Sequence, residues 1–313
     1  MAESAAENFA DRLFGAVLEK RSALVVGLDP VLERLPPELV EQVRPGFPGS
    51  PGYAARAAAL FGLFCQDVIA AVSDAAVAVK ANTAFFERFG PAGWDCLCQV
   101  CRSAKRAGLL VIADAKRGDI GHTAEAYAEA LLGDLPDTLG PYVDAVTVNP
   151  YLGTDSVEPF LRKARERGKG LFVLVRTSNP SAGDLQDLDC GGVPLYLRTA
   201  GLVGEWGRGV VGRLGLSSVG AVVGATAPQE AFRVREVLPR APFLVPGYGA
   251  QGGTAAELRP CFLGGGLGAV VNASRSVLFA YEKVGAPWRD AIRTAAVEAR
   301  DDIEGARLLP PPP

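Results

Sequence analysis

Three charged residues follow a short hydrophobic stretch in the pattern D-x-K-x-x-D, namely Asp114, Lys116 and Asp119. Residues i and i+2 of a β-strand point to the same face, so the Asp114 carboxylate and the Lys116 ammonium are expected to enter one pocket. Asp119 follows in the next loop, and Lys80, at the end of another hydrophobic stretch, is expected to reach the same place. Because each charge would be costly to bury alone, the four groups are predicted to form one alternating network.

The residues alone leave several roles open for this network. A lysine in such a pocket could act as a general acid, or it could form a Schiff base with a carbonyl substrate. The charges could instead be a structural ion-pair network that holds the end of a sheet together, because such networks also shift pKa values. Their position after a buried strand favours a catalytic role.

Two further segments indicate an anion site. Residues 246–253 read P-G-Y-G-A-Q-G-G, and residues 272–275 read N-A-S-R. Glycine lets backbone N–H groups approach an anion closely, and the planar guanidinium of Arg275 matches the geometry of phosphate oxygens. Glycine-rich loops by themselves mostly indicate tight turns, but the arginine in the adjacent loop makes phosphate binding the favoured interpretation.

The hydrophobic pattern predicts the scaffold that positions these residues. Eight short stretches rich in Val, Ile, Leu and Ala each end at a polar residue, a glycine or a proline, which is typical of buried parallel strands. They span residues 23–28, 76–79, 109–113, 145–148, 171–175, 219–223, 243–245 and 267–271. Between them, apolar residues spaced three and four apart predict helices, for instance at 54–72, 96–107, 124–132 and 228–237. The alternation predicts an α/β fold, a single-domain (β/α)8 TIM barrel; a doubly wound open sheet is the alternative, because periodicity does not reveal whether a sheet closes.

Three segments fall outside this repeat. Residues 1–21 are predicted to form an amphipathic helix that caps the bottom of the barrel or packs beside it. The proline- and glycine-rich segment 36–53 is expected to be an insertion after the first strand of a domain that ends at residue 309. The four prolines 310–313 are expected to form a disordered, solvated tail.

Composition argues against several functional classes. The chain has 313 residues, of which 49% are hydrophobic and 21% charged, as in ordinary globular proteins. Its 32 basic and 35 acidic residues give a net charge of −3, so it offers no electrostatic attraction to nucleic acid or to an anionic membrane. No apolar run approaches the roughly 20 residues of a membrane helix, and the N-terminus lacks a cationic signal, so we expect a cytoplasmic protein.

The cysteines do not indicate a metal or redox site. Six cysteines are unevenly spread along the chain, which is unlike a disulfide framework. Cys98 and Cys101 form a C-x-x-C without a second pair, and His122 is the only histidine. We expect reduced cysteines buried on a helix, and no bound metal.

Taken together, these segments resemble the orotidine 5'-phosphate decarboxylases, in particular a bacterial subgroup. The motifs that carry the resemblance are K-A-N-T-A-F-F-E at residues 80–87 and V-N-P-Y-L-G at residues 148–153. It extends from F-A-D-R-L at residues 9–13 to N-A-S-R-S at residues 272–276, nearly the whole chain. The D-x-K-x-x-D core also occurs in related barrels that act on sugar phosphates, so further specificity comes from residues in the right order around it, namely Asp29, Lys80, Gln251 and Arg275.

The resemblance implies conversion of orotidine 5'-monophosphate to uridine 5'-monophosphate and carbon dioxide, the last step of de novo UMP synthesis, without a metal or organic cofactor. It makes Lys116 the proton donor to the carbon that loses its carboxylate, and Asp114 the anion beside that carboxylate. Lys80 would orient Asp114 and contact the ribose. A second group of residues would bind the substrate: Asp29 and Asp119 the ribose hydroxyls, Ser178 the pyrimidine amide, Gln251 and Arg275 the phosphate, with Pro246 and Ser274 lining the site.

The same resemblance implies a homodimer with a shared active site. In the family, the residue that matches Asp119 reaches the partner's site together with those that match Ile120 and Thr123. His122, between them, is interpreted as incidental.

Two other functions compete with this interpretation. A magnesium-dependent ketose-phosphate decarboxylase or aldolase of the same barrel group could use the same D-x-K-x-x-D motif. Lys80 argues against it, because a cation there disfavours a metal beside Asp114. A nucleotide-binding scaffold without activity is the other alternative, and the complete set of lysines and aspartates argues against that.

Overall fold

The computed structural model describes residues 6–133, 140–226, 228–249 and 253–309, and its centre is a closed barrel of eight parallel strands. The strands are β1 (Leu24–Leu28), β2 (Ala78–Asn82), β3 (Leu110–Arg117), β4 (Ala145–Val148), β5 (Gly170–Arg176), β6 (Val219–Val223), β7 (Phe243–Val245) and β8 (Ala269–Ala273). Each strand pairs with the next along the chain, and β8 closes the barrel on β1. The predicted TIM barrel is confirmed, and the open sheet is wrong.

Helices surround this barrel. The α-helices of the described residues are α1 (Phe9–Lys20), α2 (Pro37–Val43), α3 (Tyr53–Val72), α4 (Thr83–Glu87), α5 (Gly90–Arg106), α6 (Gly121–Leu132), α7 (Thr154–Arg167), α8 (Gly183–Gln186), α9 (Leu195–Trp206), α10 (Pro228–Val237), α11 (Arg275–Leu278) and α12 (Trp288–Arg307). Short 3₁₀ turns lie at Leu32–Arg34, Pro180–Ala182, Arg208–Val210, Ala256–Cys261 and Ala280–Glu282. The strands are buried on both faces because this outer layer covers them, which explains their continuous apolar runs.

The predicted N-terminal helix is α1, and it lies across the bottom of the barrel. The Arg12 guanidinium donates to Asp144 Oδ1 at 2.7 Å, just before β4. The Asp11 carboxylate accepts from the backbone N–H groups of Arg213 and Leu214, at 2.7 and 2.8 Å, in the loop before β6. The apolar face of α1 is buried, so the helix closes the end of the barrel opposite the strand termini that carry the charges.

One helix contradicts the expectation about apolar runs. α3 has 20 residues and a mean hydropathy of 1.5, long and apolar enough to cross a membrane by length and composition, so the statement that no run approaches this length is wrong. Half of its most apolar window is buried within the protein. Phe64 stacks on Trp288 of α12 at a ring-centroid distance of 5.8 Å, and Phe61 meets Phe89 edge-on at 5.3 Å. α3 thus packs as a core helix of the outer layer.

The segment 36–53 contains α2, a helix that its prolines and glycines conceal in the sequence. The Arg56 guanidinium holds the turn that follows, by donating to Pro45 O and Pro51 O at 3.2 and 2.8 Å. The predicted proline tail, 310–313, lies outside the described residues.

All six cysteines are free thiols. Cys98 and Cys101 are buried on α5, as predicted, and burial raises the pKa of their thiols to about 11 and about 12. Both are therefore neutral thiols at physiological pH.

Candidate active site

A cavity of about 510 Å³ opens at the C-terminal ends of the barrel strands, where barrels of this kind carry their chemistry. The structure brings most of the site residues predicted from sequence into its wall. These are Asp29, Lys80, Asp114, Lys116, Ser178, Pro246, Ser274 and Arg275. They come from loops and strand ends of β1, β2, β3, β5, β7 and β8, so only the closed barrel assembles them.

At the centre of the cavity, Asp114 lies between two lysines. Lys80 Nζ is 2.6 Å from Asp114 Oδ2, and Lys116 Nζ is 2.5 Å from Asp114 Oδ1. Lys80 and Asp114 are buried, whereas the Lys116 side chain is 49% exposed and faces the open part of the cavity. Both carboxylate oxygens are therefore engaged by ammonium groups, and only Lys116 has its charge at the surface where a ligand would enter.

The charges in this cluster support one another. Burial alone would raise the pKa of the Asp114 carboxyl, but the two ammonium charges and their hydrogen bonds outweigh it and hold that pKa well below its usual range. Burial alone would lower the pKa of Lys80, but the Asp29 and Asp114 carboxylates raise it above its ordinary value. Both groups are charged at neutral pH, so an alternating field exists in the cavity before any ligand binds.

Two buried acceptors in the cavity wall have no hydrogen-bond donor among the described residues. They are Asp29 Oδ1, after β1, and Asn272 Oδ1, on β8. Buried polar atoms in folded proteins are nearly always paired, so an unpaired acceptor in a cavity wall is available to a ligand. A ribose hydroxyl is a donor of the right kind for Asp29.

The turn after β8 contributes Ser274 and Arg275 to the cavity wall. Asn272 Nδ2 donates to Ser274 Oγ at 3.1 Å, which orders this turn. Gly27 lets the Ser274 side chain approach β1 closely, because a Cβ at position 27 would lie 1.9 Å from Ser274 Oγ. In the loop after β7, the strand that pairs with β8, Gly247 has φ +97°, a left-handed conformation that favours glycine. Gln251, predicted for this loop, lies outside the described residues.

The third wall is the loop after β5, and it contains residues that sequence reasoning missed. Gln186 Oε1 accepts from the backbone N–H of Thr177 at 3.0 Å, and Gln186 Nε2 donates to Thr177 Oγ1 at 2.7 Å. Thr177 Oγ1 in turn donates to Asn179 Oδ1 at 2.6 Å. This small network fixes the loop that presents Ser178 to the cavity.

Other missed residues line the cavity from strand positions. Asn82 lies two residues after Lys80 on β2. Because residues i and i+2 of a strand share a face, the argument that paired Asp114 with Lys116 also predicts Asn82 in the cavity wall. Thr147 lies inside β4, where a β-branched residue in an apolar run is indistinguishable from core. Nothing in the spacing of the sequence marks its hydroxyl.

Three predicted residues are not brought into the cavity by their own chain. Ile120 is 54% exposed and Thr123 is also exposed, while Asp119 Oδ1 accepts from the Ile120 backbone N–H at 2.8 Å. They lie at the beginning of α6, on the rim of the barrel mouth. His122 is exposed next to them, with Glu125 at 3.8 Å, and is not in the cavity wall.

The chain is similar to known proteins along most of its length. The family model of the orotidine 5'-phosphate decarboxylase / HUMPS family matches residues 24–287. The chain is 44% identical to an orotidine 5'-phosphate decarboxylase of Rhodopirellula baltica over 305 residues, which cover 95% of this chain and 99% of that protein. Among solved structures, a putative orotidine 5'-phosphate decarboxylase from Streptomyces avermitilis is 35% identical with a TM-score of 0.79, covering 99% of both chains. The Leishmania donovani OMP decarboxylase is 34% identical with a TM-score of 0.75, covering 96% of this chain and all of that one.

Proposed function

This chain belongs to the orotidine 5'-phosphate decarboxylase family, and from that premise we propose how its cavity works. The protein is a carboxy-lyase of pyrimidine biosynthesis that converts orotidine 5'-monophosphate to uridine 5'-monophosphate. Our proposal concerns the residues that perform the reaction. The observation that supports it is the Asp114 carboxylate held between Lys80 and Lys116 at the mouth of the barrel.

We propose that Lys116 is the proton donor. The bond between the pyrimidine ring and its carboxylate breaks, carbon dioxide leaves, and the electron pair stays on the ring carbon. The Lys116 ammonium gives its proton to that carbon, and the neutral amine then regains a proton from solvent. Because the ring offers no electron sink, the barrier must fall by roughly 20 kcal/mol, near the top of the range for enzymes. Charges that are already fixed around the reacting carbon before the substrate binds can supply part of this decrease in the barrier.

Asp114 and Lys80 act together in this scheme. The Asp114 carboxylate lies beside the departing carboxylate, where repulsion between like charges weakens as carbon dioxide forms. Lys80 holds Asp114 in place through its 2.6 Å contact and reaches the ribose. Asp29 accepts a hydrogen bond from a ribose hydroxyl through its unpaired Oδ1.

The other cavity walls hold the two ends of the nucleotide. Ser178 binds the pyrimidine amide, from the loop that Thr177 and Gln186 order. Arg275 and Gln251 bind the phosphate, and Pro246 and Ser274 line the cavity. Binding energy from this remote phosphate aligns the reacting carbon with Lys116, so the phosphate end belongs to catalysis as well as to binding.

We expect Arg275→Ala to lower kcat/KM for orotidine 5'-monophosphate by about 10²- to 10⁴-fold, because a bidentate contact with phosphate is lost. The dephosphorylated nucleoside should be processed almost equally by the variant and the wild type, since it never uses this contact. Arg289→Ala, on the surface of α12, is the matched control and should change neither value. Equal losses on both substrates would show that Arg275 does not bind the phosphate.

We also propose that the protein is a homodimer in which Asp119, Ile120 and Thr123 complete the partner's cavity. Apolar side chains on the same rim support this, because Ile120, Tyr151 and Leu152 are 54%, 75% and 46% exposed. A cluster of large exposed apolar residues beside an active site is typical of a protein interface. Each dimer then has two shared sites.

The reaction needs no metal in this proposal. A magnesium ion prefers carboxylate oxygens, but both oxygens of Asp114 already contact ammonium groups, at 2.6 and 2.5 Å. This disfavours the metal-dependent decarboxylase or aldolase of the same barrel group. We further propose that the protein works in the cytoplasm on a free small-molecule substrate, since six free thiols suit a reducing compartment.

A further inference from the structure

Thr147 occupies an unusual place between two strands of the active site. Ala113 of β3 pairs with Val146 of β4, and Arg117 pairs with Val148, so the register shifts between these two pairs. Three residues of β3, 114 to 116, therefore lie opposite a single residue of β4, Thr147. This bulge carries the catalytic charges, and Thr147 is the residue of β4 that lies opposite them.

The Thr147 hydroxyl contacts both members of the charge cluster that the bulge carries. Its Oγ1 accepts a hydrogen bond from the Lys116 backbone N–H at 2.9 Å. The same hydroxyl donates its proton to Asp114 Oδ1 at 3.0 Å. Asp114 Oδ1 is also the atom that Lys116 Nζ contacts, at 2.5 Å. Thr147 is 1% exposed, so water cannot readily replace these bonds.

The backbone of Lys116 needs such support. Its φ is +47°, in the left-handed region, which is sterically unfavourable for a residue with a side chain. The register shift also takes this N–H group out of the regular pairing of β3 with β4, so the partly buried group needs another acceptor. A strained residue in an active site persists only where its surroundings fix it, and the Thr147 hydroxyl is the side-chain group that does so here.

We propose that Thr147 is a positioning residue for decarboxylation, holding Lys116 in its left-handed conformation so that the ammonium stays on Asp114 and aims at the reacting carbon. This inference rests on the proposed role of Lys116 as proton donor. The hydroxyl suits this position because its single oxygen accepts from the Lys116 N–H and donates to Asp114 at once. Valine fills the same space but does neither.

The test compares Thr147→Val with Thr147→Ser in steady-state kinetics on orotidine 5'-monophosphate. We expect Thr147→Val to lower kcat by about 10- to 100-fold, as the loss of buried hydrogen bonds predicts, with KM within about threefold of wild type. Thr147→Ser should recover most of the kcat. Thr199→Val is the matched control, because the Thr199 hydroxyl donates to Leu195 O within the outer helix α9, and the kcat of this variant should equal that of the wild type.

Several outcomes would overturn the inference. These are a Thr147→Val kcat within twofold of wild type, a loss confined to KM, which indicates direct substrate contact, or a Thr147→Ser variant as slow as Thr147→Val. If Thr147→Val does not fold, Thr147→Ala carries the same expectations, with binding of uridine 5'-monophosphate showing that the cavity is intact. A Lys116→Ala protein that still turns over would instead refute the proposed function, so the two failures are distinguishable.

Discussion

Lys116→Ala should abolish turnover of orotidine 5'-monophosphate while the protein still binds uridine 5'-monophosphate within a few-fold of wild type. The variant loses both the proposed proton donor and one of the two cations that contact Asp114. General acids typically contribute about 10²–10⁴-fold, and the loss of preorganised charge adds to this, so we expect at least about a 10³-fold fall in kcat. The measurement is steady-state decarboxylation combined with calorimetric binding of the product.

The choice of ligand matters for this experiment. In the proposed arrangement the substrate's carboxylate lies beside Asp114, so removal of Lys116 would leave like charges facing each other and weaken substrate binding. The product has no such carboxylate, and in the proposed arrangement its phosphate binds Arg275, another residue of the cavity wall. Lys283→Ala, at an exposed position, is the control and should behave as wild type. A Lys116→Ala protein that keeps a tenth of the wild-type turnover would show that Lys116 is not the proton donor.

Mixing two inactive variants should restore about a quarter of wild-type activity. Lys116→Ala and Asp119→Ala homodimers are each expected to be nearly inactive. After subunit exchange, half of the dimers are hybrids, and in each hybrid one site has lost both residues and the other keeps both. The intact site follows from the proposed dimer, in which Lys116 of one subunit meets Asp119 of its partner. Because half of the dimers are hybrids and half of their sites are intact, about a quarter of the wild-type activity should return.

The opposite arrangement gives a different result. If Asp119 serves its own subunit, every site of the hybrid lacks one residue, and no activity returns. Subunit exchange must be confirmed by native mass measurement, because unmixed homodimers would also stay inactive. A mixture of confirmed hybrids without activity would contradict the shared site and return Asp119 to the rim of its own barrel, where it lies in the single chain.

The sequence predicts the barrel well because each strand is buried on both faces and is therefore continuously apolar. Strands β4, β6 and β7 have the predicted bounds. β3 was predicted to end at Ala113, before the charged residues, but it continues to Arg117. The charges satisfy one another inside the barrel mouth, so the strand can extend through them. Burial of paired charges is a tertiary effect that a hydrophobicity pattern does not contain.

The candidate site is predictable to a different degree. The charged residues stand out because buried lysines and aspartates are rare and costly, and the structure places Lys80, Asp114 and Lys116 together. Thr147 could not be predicted, because its importance arises from a register shift between β3 and β4. The Thr177 and Gln186 contacts likewise depend on how the loop after β5 folds back. Neither loop packing nor strand register follows from spacing alone.

The central claim is that lysines of the chain itself provide the cationic groups for decarboxylation. The most direct measurement is the turnover of orotidine 5'-monophosphate by the wild-type protein after exhaustive treatment with a chelator, compared with turnover in added magnesium. We expect the same kcat in both conditions, because both oxygens of Asp114 are held by Lys80 and Lys116 at 2.6 and 2.5 Å. Activity that disappears with the chelator and returns with magnesium would contradict the claim and place a metal ion in the reaction.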